Sequence, residues 1–517
     1  MASPAPAPAP QTPAAPAPAP VSRKAWTVVV LLFAFMVINF MDKTVLGLAG
    51  KHIKEDLGLS DTRFGLIGSA FFLLFSVSGV AVGFLADRME ARRLLTVMVV
   101  MWSVAQLVIA LPAAGLGTLI VTRIVLGAAE GPAFPMANHT AFSWFPDKDR
   151  TLPSSLLSVG GAAGVAIGGP ILAIVVSQLG WRTAFVVTGV LGLLWLIAWR
   201  AYGAEGPYSP RTAQAVDGVP GVPGVPGGSG APGCSGAPGG SDALGGWGPP
   251  GSSDASGGSG GLAVSGVPGG SGGSGGPASS DGLAVSGVPG GFGVRVPYRR
   301  LFTRGTVLGG LAAGFAAFWM MAVAITWLPQ FLQRVHGIEL EKASLITAGT
   351  QVVGIVVMLG IGAFSQRLLR AGHPSRIARG ALGGAAVVVS GVAMLAFTRV
   401  GGGAALILVM MVAFTVGNAF YGLMQAALAE LAPVRQRAAL LGTATALASS
   451  AGAFGPLLTG ALVDRADSAA TGFQHAFDLS ALLLILGGLL AAALIRPARD
   501  RATLPLEPAA APATAVS

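Results

Sequence analysis

Twelve apolar runs, each about 20 residues long and so about as long as a hydrocarbon core is thick, occupy most of this chain. Their approximate limits are 26–48, 64–86, 94–113, 117–138, 153–177, 184–202, 306–332, 344–366, 377–397, 403–430, 438–463 and 476–496. Six fall before residue 203 and six after 305. With 53% hydrophobic and 10% charged residues over 517 positions, a water-soluble globule would have to bury more apolar surface than its shape allows. The fold class expected is therefore all-α and membrane-embedded, with twelve transmembrane helices in two sets of six.

The net charge of +10 does not point to nucleic acid, because Lys and Arg do not gather in one patch but punctuate the apolar runs. If the N-terminus is cytoplasmic, about 22 of the 32 basic residues fall in inner segments, including Arg23, Lys24, Arg92, Arg93, Arg299, Arg300, Arg376 and Arg379. That bias places both termini inside, in the cell (inner) membrane. The organisation expected is a disordered Ala/Pro-rich tail at 1–22 and a six-helix bundle at 23–202. A Gly/Pro/Ser-rich cytoplasmic linker follows at 203–298, then a second six-helix bundle at 299–497 and a tail at 498–517. The start of the chain lacks the charged-then-apolar pattern of a secretory signal, so the first span is expected to stay as an anchor. The linker repeats the phrase GLAVSGVPGG from Gly261 and Gly282, and its composition cannot bury a core. The single cysteine, Cys234, lies there, so no disulfide or thiolate metal site can form within the chain.

Ionisable groups inside apolar helices are costly, and they point to function. The first span carries Asn39, Asp42 and Lys43 near its middle; the fourth carries Arg123 and Glu130, seven residues apart and so on one helix face. A carboxylate ligand needs a cation at its depth, which Lys43 and Arg123 supply, Arg through two parallel hydrogen bonds. A buried acid near a cation feels opposed influences on its proton affinity, which makes Asp42 and Glu130 candidates for proton coupling. The competing reading is that Asp42–Lys43 and Arg123–Glu130 are ion pairs locking helices together. Gly160, Gly164 and Gly168 recur every four positions in the fifth span, which lets another helix approach.

The loop after the second span reads Gly83-Phe84-Leu85-Ala86-Asp87-Arg88, then Ala91-Arg92-Arg93. It resembles the loop motif of the major facilitator superfamily, with Glu90 where a second Gly is expected. A weaker echo, Gly362 to Arg367, follows the eighth span. Asn39-Phe40-Met41-Asp42-Lys43-Thr44-Val45-Leu46 resembles the first-helix pattern of the anion:cation symporter family, with Phe for Tyr and Lys for Arg. Arg123-x-x-x-Gly127-x-x-Glu130-Gly131-x-x-Phe134-Pro135, Trp144-Phe145-Pro146 with Arg150, and Thr326-Trp327-Leu328-Pro329 are similar to further motifs of that family. The resemblance covers both membrane halves and implies two pseudo-symmetric six-helix bundles working by alternating access. It implies proton-coupled uptake of a small organic anion of the carboxylate or sugar-acid type. Phe40 lacks the family's hydroxyl, which suggests a less hydroxylated ligand. The loop motif implies a conformational gate at Gly83, Asp87, Arg88, Arg92, Arg93, Arg150 and Arg367, unless its arginines serve only topology.

In the second half, Trp319, Gln351 and Asn418 are candidates to face the cavity, Trp319 equally a packing residue. No Arg or Lys lies between Arg304 and Arg334, which counts against sugar-phosphate exchange. The five histidines do not form a metal site, and nothing resembles a catalytic nucleophile or nucleotide loop, so no enzyme and no cofactor beyond the proton gradient is expected. The partners expected are a small organic anion, protons and lipid, without nucleic acid, and a monomer. An exporter of drugs or metabolites with the same fold, or a passive anion channel, stays open as an alternative.

Overall fold

The computed structural model describes residues 22–86, 89–146, 149–208 and 296–504. The N-terminal tail, most of the linker and most of the C-terminal tail lie outside these, as do Asp87 and Arg88. Twelve helices among the described residues are long and apolar enough to cross a membrane. They are α1 Arg23–Leu57, α2 Asp61–Val82, α3 Ala91–Ile109, α4 Leu116–Phe142, α5 Leu152–Leu179, α6 Trp181–Tyr202, α7 Gly305–His336, α8 Leu340–Arg370, α9 Arg376–Phe397, α10 Gly403–Leu431, α11 Ala439–Arg465 and α12 Ala469–Leu494.

Hydropathy located the spans, but local chemistry sets the ends. Helix α1 starts at Ser22, whose hydroxyl accepts from the Ala25 amide, and it runs past the apolar stretch to Leu57. There Gly58 adopts the left-handed conformation at φ 59° and ends it. Helix α4 breaks at Gly131-Pro132, between Glu130 and Ala133, because Pro132 supplies no amide hydrogen to the ladder.

The helix pairings repeat. In the first half α1 packs on α5 and α6, and α3 on α4 and α6; in the second, α7 packs on α11 and α12, and α9 on α10 and α12. Adding six to each number of the first set gives the second, which is the pseudo-symmetry of two related bundles. The small-residue stripe of α5 faces α1: a Cβ on Gly164 would lie 2.3 Å from the Val37 carbonyl oxygen, and one on Gly168 would lie 2.4 Å from Met41 Cγ. Any larger residue there would push the two helices apart.

Between the halves, α2 packs on α11, α5 on α8 and α1 on α7. Because the number of spans is even, both ends of the membrane domain lie on one face, here called the terminal face. The polar contacts described between the halves run from mid-membrane, where Ser76 and Ser449 share a hydrogen bond, to the opposite face. At that face Arg334 Nη1 of α7 donates to both oxygens of Asp61 at 2.9 Å, and Lys54 of α1 pairs with the same carboxylate. Asp464 of α11 accepts from the amides of Asp61 and Thr62 at 2.9 and 2.6 Å, which caps the start of α2 with a charge from the other half. Backbone approach is close: a Cβ on Gly65 would lie 2.3 Å from the Pro456 carbonyl, and one on Gly460 would lie 2.2 Å from that of Asp61.

On the terminal face, short segments dock each bundle to its own chain extensions. The Gly206 amide donates to Ser143 Oγ at 2.9 Å, and Trp144 Nε1 donates to the Ala204 carbonyl at 3.0 Å. Glu205 Oε1 accepts from the Ala91 amide at 2.6 Å and so caps α3. In the second half, buried Val296 exchanges two hydrogen bonds with the Gln436 side chain, at 2.8 and 2.7 Å. Asp500 Oδ2 accepts from Thr306 N and Oγ1, both at 2.7 Å, which caps α7. Burial pushes the Asp500 carboxyl up, but the hydrogen bonds from Thr306 and Arg499 outweigh it and hold the group below its usual range.

Candidate functional site

The polar centre of the first bundle is built by α1 and α4, with α3 and α6 behind them. Asn39, Asp42 and Lys43 lie within about one turn of α1, and Arg123 and Glu130 stand two turns apart on α4. Lys43 Nζ lies 2.9 Å from Glu130 Oε2; it also donates to Asn39 Oδ1 and sits 4.6 Å from the centre of the Phe40 ring. The Lys43 side chain keeps 11% exposure and Glu130 none, so the lysine is the charge that reaches the open side. Phe40 is held from behind by α5, where a Cβ on Gly161 would lie 2.9 Å from its ring.

Asp42 and Arg123 point the other way, into the bundle. Asp42 is fully buried beside Gln106 of α3 and Thr188 of α6, with Glu130 and Arg123 within electrostatic reach. Neither of its oxygens has a hydrogen-bond partner in the protein. Arg123, 2% exposed, has its guanidinium 5.3 Å from the centre of the Phe185 ring, a cation–π geometry, and its Nε and Nη2 are likewise unpartnered. The geometry thus pairs residues crosswise. Lys43 of α1 meets Glu130 of α4, rather than Asp42 meeting Lys43 or Arg123 meeting Glu130 as helix-face reasoning pairs them. Ionised, the four charges sum to zero, and Asn39 Nδ2 and both Glu130 oxygens keep unused hydrogen-bonding capacity.

The three candidates from the second half do not join this cluster. Trp319 is packed in the core, with Nε1 donating to Ser480 Oγ of α12 at 3.1 Å. Gln351 is half-buried on α8. Asn418 is exposed on a short 3-10 break of α10, its amide donating to the Phe414 carbonyl at 2.9 Å.

Sequence reasoning missed a polar group on α10 and α11. Gln425 Nε2 donates to Thr445 Oγ1 at 2.8 Å, and Tyr421 Oη shares a 3.2 Å contact with the same hydroxyl. The Tyr421 ring is edge-on to Phe318 of α7 and 39% exposed. A Tyr and a Gln four apart on one helix were the available signal.

Of the gate candidates, Gly83 lies in the last turn of the second helix, which continues beyond α2's Val82 to Ala86, and Asp87 and Arg88 lie outside the described residues. Arg92 donates to the Arg200 carbonyl, and Arg93 pairs with Glu90 at 3.1 Å. Arg150 Nε donates to the Phe145 carbonyl at 3.1 Å, and Arg367 sits in the last turn of α8. Among the described residues no group of three or more His, Cys, Asp or Glu could hold a metal ion.

Comparison with known proteins bears on family and fold. Residues 32–424 match the model of the Major Facilitator Superfamily. The chain is 33% identical to the D-galactonate transporter of Escherichia coli O6:H1 over 33% of its length and 39% of the relative's. It is 33% identical to the hexuronate transporter of Bacillus subtilis over 33% and 40%. The match thus spans about two fifths of the length of these relatives. A longer match, 25% identical over 67% of the chain and 66% of the relative, is to the "Probable sulfoacetate transporter SauU" of Cupriavidus necator. Among solved structures, a bacterial homologue of the human lysosomal transporter Spinster, inward-facing and unoccupied, superposes with a TM-score of 0.68. It has 17% identity and covers 93% of this chain and 99% of that one, which speaks to fold alone. Twelve spans, two bundles with repeated pairings and a family model covering most of both bundles lead to one conclusion: this chain belongs to the Major Facilitator Superfamily.

Proposed function

We propose that the protein is a proton-coupled symporter that carries a small organic anion into the cell by alternating access. The observation that carries this is the Lys43–Glu130 pair, a partly exposed cation held against a fully buried carboxylate on two facing helices. An arriving carboxylate competes with Glu130 for Lys43. Once displaced, an ionised Glu130 would be an unpaired charge at membrane depth, which is costly, and taking up a proton removes the cost. Anion and proton therefore each make the other's binding cheaper, and the loaded site stays neutral. Arg123 backs the site from within the bundle, where its charge faces Glu130 and Asp42 and adds to the attraction for the anion. The relatives' transport of D-galactonate and of hexuronates supports a sugar acid as ligand. Phe40 beneath Lys43 favours one with an apolar edge.

The second bundle contributes hydrogen bonding without charge. Tyr421, Gln425 and Thr445 form its polar wall, and Gln351 and Asn418 extend it. The residues of the loop motif, Gly83, Asp87, Arg88, Arg92, Arg93, Arg150 and Arg367, serve the gate on the terminal face. The basic residues of that face support its being cytoplasmic, with both termini inside. The contacts joining the halves at the opposite face then make this conformer inward-facing. The 203–298 linker acts as a tether between bundles whose facing ends are already docked, at 203–208 and 296–302. Uptake of aldonates and uronates into proteoliposomes, with and without an imposed pH gradient, tests this reading. Accumulation supports symport; equilibration alone would indicate a passive channel.

A further inference from the structure

Behind the exposed pair lies a set of buried polar groups that the reading above does not use. Asp42, Gln106 and Thr188 are all 0% exposed, and they come from three helices, α1, α3 and α6. Gln106 and Thr188 lie within reach of the Asp42 carboxyl, yet neither of its oxygens nor either head of the Gln106 amide makes a hydrogen bond of ordinary distance and angle in the protein. Thr188 Oγ1 donates to the Phe185 carbonyl at 3.2 Å, which leaves its lone pairs free. Four unpartnered polar atoms on two adjacent, fully buried side chains would be expensive if they served only packing.

The chemistry of the three side chains is specific. A primary amide and a hydroxyl each both donate and accept hydrogen bonds without carrying charge. An ionised Asp42 can take a hydrogen bond from Gln106 Nε2 and one from Thr188 Oγ1. A protonated Asp42 becomes a donor, and Gln106 answers by turning its amide over to present Oε1, while Thr188 returns its hydrogen to the Phe185 carbonyl. Either proton load is then accommodated with no helix movement and no stranded charge. Lys or Arg in place of Gln106 would hold the carboxylate ionised, and Leu or Val would leave it unserved. The charged groups that face Asp42 are Arg123 and Glu130 of α4, whereas α3 and α6 present Gln106 and Thr188, which are neutral.

We infer that Gln106 and Thr188 are positioning residues for Asp42, forming a closed proton-holding site in which the Gln106 amide reorients with the protonation state of the carboxyl. The inference rests on the proposed proton coupling, and it adds residues on α3 and α6 that touch neither the bulk cavity nor the anion.

The test is an infrared pH titration of the full chain reconstituted in liposomes, without substrate, following the C=O stretch of buried protonated carboxyls. The band lost in Asp42→Asn identifies Asp42. In Gln106→Leu that band is expected at higher frequency, with its titration midpoint shifted alkaline by about 0.5–1 pH unit, because the hydrogen bond lost by the charged carboxylate is stronger than the one lost by the neutral acid. Thr188→Val should likewise move the midpoint alkaline but leave the frequency nearly unchanged, because Thr188 bonds only the ionised form, and Thr188→Ser should restore the parental midpoint, which separates the effect from a fault in packing. An Asp42 band that keeps its frequency and midpoint in both Gln106→Leu and Thr188→Val overturns the inference and leaves proton coupling standing. No band assignable to Asp42 at any pH would overturn the inference together with Asp42's place in that coupling.

Discussion

Lys43 Nζ lies 2.9 Å from Glu130 Oε2, so the cation of α1 is held by the carboxylate of α4 and not by its own neighbour Asp42. This crossed pairing makes the site responsive. Each partner belongs to a different helix, and in the proposed mechanism an anion that takes Lys43 releases Glu130.

Glu130→Gln should abolish gradient-driven accumulation, because the amide can bond Lys43 but cannot load a proton. Exchange of substrate between the two sides should remain measurable. Accumulation at the parental level in reconstituted vesicles would remove Glu130 from the coupling.

Removing the positive charge of Lys43 should weaken anion binding by roughly 2–5 kcal/mol, the cost of a desolvated charge left without its partner. Lys43→Arg should keep much of the affinity. Equal affinity in a folded Lys43→Ala protein, measured by calorimetry, would show that the anion is held elsewhere.

Asp61 joins Lys54 and Arg334 across the two halves, and Asp464 caps α2 from the other bundle. Asp61→Asn should weaken closure of the face opposite the termini. The effect should fall below the about 3–5 kcal/mol of a fully buried pair, since the Arg334 side chain keeps 27% exposure. A cysteine at buried Gln330, in a protein with Cys234 replaced by Ser, should then be labelled several-fold faster from that face. Unchanged labelling would mean that the close backbone approach of Gly65 and Gly460, not the ion pairs, holds the face shut.

Deleting Gly218–Gly287 should leave insertion and uptake near the parental rate. The deletion leaves about 25 residues between the bundles, and a flexible chain of that length spans roughly 25–30 Å on average. Loss of uptake at equal membrane abundance would assign the segment a regulatory or assembly role.

Much of this architecture was legible in the residues. Apolar runs located all twelve spans, because hydropathy over 20 residues is a strong signal, and the α5 glycines announced the close approach to α1. Helix periodicity put Arg123 and Glu130 on one face but could not show which neighbour each would meet, so the pairing with Lys43 emerged only from the packing. Asp61, Arg334 and Asp464 fell just outside the expected spans 64–86, 306–332 and 438–463, where charges are unremarked. Their joining across the bundles depends on contacts far apart in sequence. Glu205 falls inside the linker expected at 203–298, yet it caps α3. Trp319 met its partner Ser480 on α12, which no local pattern connects to α7.

Uptake of D-galactonate and D-glucuronate into proteoliposomes carrying an imposed inward proton gradient tests the central claim most directly. The account predicts transient accumulation above equilibrium that collapses with a protonophore and is absent in Glu130→Gln. Uptake that only equilibrates, at a rate unaffected by the gradient or by Glu130→Gln, would contradict it.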